Sequence, residues 1–111
     1  MAAITITGSS IQTGELTMSD HGNSKVKKGE KVTWIIGPHS GVKSIEKIMH
    51  CDNSMNVFFK DPGRVGNGRA SNWQGIVSKE VADGSVEEYY IDWKDTEGKL
   101  HKYDPKITVN Q

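Results

Sequence analysis

Glu88-Tyr-Tyr-Ile-Asp-Trp-Lys-Asp-Thr-Glu-Gly-Lys-Leu-His-Lys-Tyr-Asp-Pro-Lys-Ile-Thr-Val-Asn110 is the stretch that decides the fold. Tyr89, Ile91 and Trp93 fall on one face of an extended segment, and Glu88, Tyr90 and Asp92 on the other. That alternation belongs to a strand in a sheet with one buried side. Asp95-Thr-Glu-Gly98 has the length and the terminal glycine of a hairpin loop, so Lys99 to Tyr103 is predicted to pair back. Asp104-Pro105 interrupts the pairing because proline has no N–H for the ladder, and Lys106 to Asn110 ends the chain as a strand with Ile107 and Val109 facing in.

Working outward, Asp83-Gly84 marks a turn ahead of this strand, and Trp73 to Ser78 has strand character. Asp61 to Asn72 reads as a Gly-rich loop, of a length that is often functional. Asn56 to Lys60 is a short strand with two adjacent aromatics. Val42, Ile45 and Ile48 recur every third residue, which suits a helical turn as well as an irregular strand, so Val42 to Met49 stays open. Lys31-Val-Thr-Trp-Ile-Ile36 is the clearest strand of the first half, with Val32 and Trp34 on one face. Ala3 to Thr7 and Ile11 to Thr17 read as sheet-edge strands. About seven or eight short strands with Gly and Asp turns predict an all-β, Greek-key β-sandwich.

A length of 111 residues fits a single domain spanning residues 1–111. Fourteen basic and fourteen acidic residues cancel, so no net field draws the chain to nucleic acid or to an anionic membrane. Cys51 is the lone cysteine, which rules out an internal disulfide and permits a reducing compartment. No stretch has the apolar run of a secretory signal or a membrane-spanning helix. The expected location is cytoplasmic as written, and periplasmic or secreted if a leader has been removed.

Two segments resemble a known family. Val26-x-x-Gly29-x-x-Val32-Thr-Trp34, followed by a loop carrying Pro38-His39, is similar to the cupredoxin pattern in which the loop after a Val-x-Trp strand supplies the first copper histidine. Tyr89-Tyr90-Ile91, the turn loop and the closing Lys106-Ile-Thr-Val-Asn110 resemble the cupredoxin C-terminus. The resemblance touches both ends and leaves Val42 to Asp83 largely unaligned. Type-1 copper needs two imidazoles and a thiolate. In that family the thiolate sits at the end of the penultimate strand, read here to end at Asp92, and Trp93 to Pro105 holds one histidine, His101, with no cysteine or methionine. The resemblance therefore implies a cupredoxin-like scaffold without type-1 copper.

No nucleophile elbow or paired-carboxylate arrangement stands out, so the protein is expected not to be an enzyme and to carry no cofactor. The first functional expectation is a binding or interaction module for a protein or small-molecule partner, with oligomeric state open. Its contacts would come from Gly37 to Gly41, Asp61 to Asn72 and the Trp93 to Pro105 hairpin. Arg64 and Arg69 would select an anionic group, and Trp73 or Trp93 would add affinity if exposed, Trp73 being flanked by Asn72 and Gln74 in the manner of a sugar-stacking platform. The second expectation is a copper or zinc site using His39 with Cys51 or His101, since His21, His39, His50 and His101 show no local ligand spacing. The third is a structural protein that assembles through its edge strands, with the short N-terminal strand as the candidate surface.

Overall fold

Strand-forming residues come in runs of three to eleven, several of them ended by Gly, Asp or Ser. The computed structural model describes residues 2–20, 22–51, 54, 56–66 and 72–110, and these form ten strands and no helix. They are β1 (Ala2–Ser9), β2 (Leu16–Met18), β3 (Asn23–Lys27), β4 (Lys31–Ile36), β5 (Val42–His50), β6 (Phe58–Arg64), β7 (Trp73–Val77), β8 (Ser85–Asp95), β9 (Leu100–Tyr103) and β10 (Lys106–Asn110). One sheet has the order β2-β1-β4-β7-β6 and the other β3-β10-β8-β5, with β9 paired to β8 beyond the break at Pro105. Both sheets are mixed: β1 runs parallel to β4, and β10 parallel to β3.

The inward positions of the two sheets share one core. Ile4, Ile6, Val32 and Trp34 come from the first sheet, and Tyr89, Ile91, Trp93 and Ile107 from the second. Trp34 is fully buried, and its Nε1 donates to the Tyr89 hydroxyl at 3.1 Å, so neither ring leaves a polar atom unpaired. Burial also pushes the Tyr89 phenol pKa up, holding it protonated as an acceptor. Each large apolar side chain enclosed here contributes roughly 2–3 kcal/mol.

The open segment Val42 to Met49 is strand β5, and its three-residue apolar spacing has a definite cause. The register against β8 shifts between Val42 and Ser44 and again between Ile45 and Lys47. Each bulge inserts one residue, which returns Val42, Ile45 and Ile48 to the buried face every third position rather than every second. The strand count exceeds the seven or eight expected, and the segment read as Ile11 to Thr17 is a turn over 11–13 followed by β2. Part of the expected Asp61 to Asn72 loop is strand as well, since β6 continues through Pro62 to Arg64. Proline is tolerated there because β6 is the outer strand of its sheet.

The N-terminal strand is not an edge. β1 lies between β2 and β4, pairing with β4 from Ala2 to Ile6 and with β2 from Ile6 to Ser9. Among the described strands the outer ones are β2, β6, β3, β5 and β9. The two bulges and Lys43 and Lys47 of β5, and the bulges and Pro62 of β6, are features that discourage edge-to-edge pairing.

Candidate functional site

The register of β5 on β8 sets Ser44 opposite Lys94, which brings Lys43, Ser44 and Glu46 of β5 beside Lys94. Arg64, the last residue of β6, arrives from the other sheet, and its Nη2 donates to the Ile45 carbonyl oxygen at 2.9 Å. Gly98, in the β8–β9 turn, completes a polar pocket of about 220 Å3. Two of the three segments expected to cluster contribute to it, through Arg64 and through Lys94 and Gly98, whereas Gly37 to Gly41 gives it no lining residue among those described.

Two cations flank one carboxylate in this pocket, and a third, Lys43, lines it. Glu46 lies 3.7 Å from both the Arg64 guanidinium and the Lys94 ammonium, and it accepts a 2.5 Å hydrogen bond from Ser44 Oγ. These side chains are about one-third to two-fifths exposed, so the pairs are solvent-screened and each is worth at most ~1 kcal/mol. The Arg64 guanidinium carbon also sits 5.9 Å from the centre of the Trp73 ring. Arg64 is thus braced against the indole, with several of its five N–H donors left for a ligand.

The aromatic anchors are corrected by burial. Trp73 is 8% exposed and Trp93 fully enclosed, so neither offers a stacking face to a partner. Both lie on the inward-pointing positions of their strands, where the core claims the indole. Arg69 lies outside the described residues, as does His21.

Of the residues expected to ligate metal, Cys51 stands apart from both histidines. His39 precedes β5 and Cys51 follows it, so the nine-residue strand separates them by roughly 25 Å of extended chain. The Cys51 N–H donates to the Glu88 carbonyl, whereas His101 pairs with Trp93 five positions further along β8, roughly 16 Å away. Cys51 therefore shares no site with either histidine. His39 is exposed with a left-handed backbone, φ 62°. Among the described residues no three His, Cys, Asp or Glu side chains group as metal ligands.

His101 has a different occupation. Strand β8 runs three residues beyond the expected end, to Asp95, and the Asp95 carboxylate collects three hydrogen bonds. Oδ1 accepts from the backbone N–H of Glu97 and Lys99 at 2.9 and 3.0 Å, and Oδ2 lies 2.8 Å from His101 Nε2. The bond to His101, then those to the backbone, hold the Asp95 pKa below the ordinary carboxylate range. The His101 ring stacks on Trp93 at 4.5 Å, and the Trp93 Nε1 donates to the Gly14 carbonyl. At the end of β8 stands a hairpin clasp where the resemblance would put a thiolate. These donors do not fit a type-1 copper centre, which requires sulfur.

Glu87 is the charged residue that sequence reasoning missed. It is 1% exposed, on the same face of β8 as Tyr89, Ile91 and Trp93, and its Oε1 accepts from the Val57 N–H at 2.9 Å. Burial pushes its pKa up to about 7, against the pull of the Val57 N–H, with the Asp61 charge adding a smaller push. The signal was the alternation itself: carried two residues in each direction from Tyr89 and Trp93, it lands on Glu87 and Asp95.

No protein-family model matches this sequence, and no curated protein matches it.

Proposed function

We propose that this protein is a non-catalytic binding module on a cupredoxin-like β-sandwich, and that it holds an anionic group of its partner in the pocket formed by Lys43, Arg64 and Lys94. The observation that carries the reading is the convergence of cations from β5, β6 and β8 on one pocket, where Arg64 and Lys94 flank the single carboxylate of Glu46 and Lys43 lines the wall. Arg64 supplies the planar fork suited to a carboxylate or phosphate, and Lys43 and Lys94 supply point charge. The Glu46 carboxylate occupies the position a ligand oxygen would take, so binding exchanges one anion for another.

The scaffold reading is supported by strand order. The first strand lies parallel beside the Trp34 strand, the last strand lies parallel beside β3, and His39 falls in the connection after β4. Those features suit the cupredoxin resemblance in Val26 to His39 and in the C-terminal segment. The copper set does not accompany them, because Asp95 and His101 are committed to each other.

A calorimetric titration with acetyl-triglutamate amide tests the function. An exposed site of this charge should bind at about millimolar affinity, weakening with salt as the screening length shortens. Arg64→Ala should reduce affinity by about threefold to tenfold. Equal binding by wild type and Arg64→Ala would remove the pocket from the account.

A further inference from the structure

The two sheets leave a second opening along the same flank. β5 is the outer strand of one sheet and β6 of the other, and a groove of about 200 Å3 lies between them, sharing no lining residue with the cationic pocket. Ile48, Phe58 and Trp73 give it an apolar wall, and Lys47, His50 and Asp61 lie around them. An apolar wall with a few polar groups converging on it is the usual composition of a small-molecule site.

Hydrogen bonding in the groove is incomplete at one buried donor. The indole N–H groups of Trp34 and Trp93 end on the Tyr89 hydroxyl and the Gly14 carbonyl. That of Trp73 has no acceptor among the described residues, although the side chain is more than nine-tenths buried. A buried donor left unpaired is costly and rare in folded proteins. Across the groove, the Asp61 carboxylate already accepts from Asn56 Nδ2 at 2.8 Å. The Lys47 ammonium makes no ion pair among the described residues. Two donors thus stand without an acceptor, while the one carboxylate is bonded.

We propose that this groove binds a small carboxylic acid with an apolar body. The body lies against Ile48 and Phe58, and the carboxylate accepts from the Trp73 indole N–H and pairs with Lys47. The N–H is sealed from water, so the rim opens as the acid enters. This site is independent of the anion pocket proposed above.

The indole region of a proton–nitrogen correlation spectrum tests it on the full chain, with sodium phenylacetate as the probe and benzyl alcohol as its uncharged counterpart. Trp73→Phe identifies the relevant resonance and keeps an aromatic wall. Phenylacetate should move the Trp73 indole signal while those of Trp34 and Trp93 stay, saturating at about 1 mM as expected for a ligand of that size. Benzyl alcohol should bind more weakly, and Lys47→Ala should weaken phenylacetate at least about fivefold. A stationary Trp73 signal, common movement of all three indoles, equal response to the alcohol, or undiminished binding in Lys47→Ala each overturns the proposal.

Discussion

Replacing Glu87 by Gln should remove a pH dependence of stability, so that the variant gains on wild type as pH rises from acid to neutral. The carboxyl is buried and its folded pKa is raised from 4.5 to about 7. A group whose folded pKa is raised binds more protons in the native state between those two values. Stability from this site is therefore full below about pH 4.5, declines as pH rises through the window, and levels off above about pH 7. The difference of about 2.5 units, at ~1.4 kcal/mol per unit, makes the total swing roughly 3 kcal/mol. Glutamine keeps an oxygen for the Val57 N–H and cannot ionise, so it escapes that swing, although its amide N–H2 adds a constant cost of about 1–3 kcal/mol if unpaired. Urea unfolding of both proteins from about pH 4.5 to 8 measures it, and the other carboxylates, common to both, cancel in the difference. The stability of Glu87→Gln relative to wild type should rise by roughly 3 kcal/mol across the window. A difference that stays flat would show that Glu87 is not the buried, proton-holding group described here.

Other perturbations test separate parts of the structure. Asp95→Ala removes the acceptor for Glu97, Lys99 and His101 at once, so hydrogen exchange at the Lys99 amide should accelerate and the melting temperature should fall. Because the Asp95 pKa is lowered in the folded state, that stabilisation is present above the ordinary carboxylate pKa and is lost as pH falls through the folded value; the gap between variant and wild type should narrow in acid. Gly37→Ala places a Cβ 2.5 Å from the Ile6 carbonyl oxygen, inside the bond that the Gly37 N–H makes to the same oxygen. Thermal unfolding should register a loss of about 1–3 kcal/mol, and an unchanged melting temperature would contradict the close approach of β1 to the β4 end.

The strands that read clearly in the sequence are those whose inward face is set by simple alternation. Val32 and Trp34, and Tyr89, Ile91 and Trp93, hold to a period of two and are buried as expected. The turn at Asp95 to Gly98 and the break at Pro105 were equally legible, because each depends on local backbone chemistry. β5 was not, since its two bulges convert a period of two into a period of three, and bulges are set by the partner strand rather than by local sequence. The pocket was half legible. Arg64 stood out in a Gly-rich segment, but Lys43, Glu46 and Lys94 join it only through strand register and through contact between sheets. Trp73, a candidate platform only if exposed, is buried, and in a strand its neighbours Asn72 and Gln74 point to the opposite face.

Amide chemical-shift mapping with acetyl-triglutamate amide tests the central claim most directly, because it reports where the anion sits as well as whether it binds. The largest shifts should fall on Lys43, Ser44, Arg64, Lys94 and Gly98, the residues around Glu46, and they should disappear in Arg64→Ala. Shifts spread over the surface lysines, or centred away from the junction of β5, β6 and the β8–β9 turn, would contradict it.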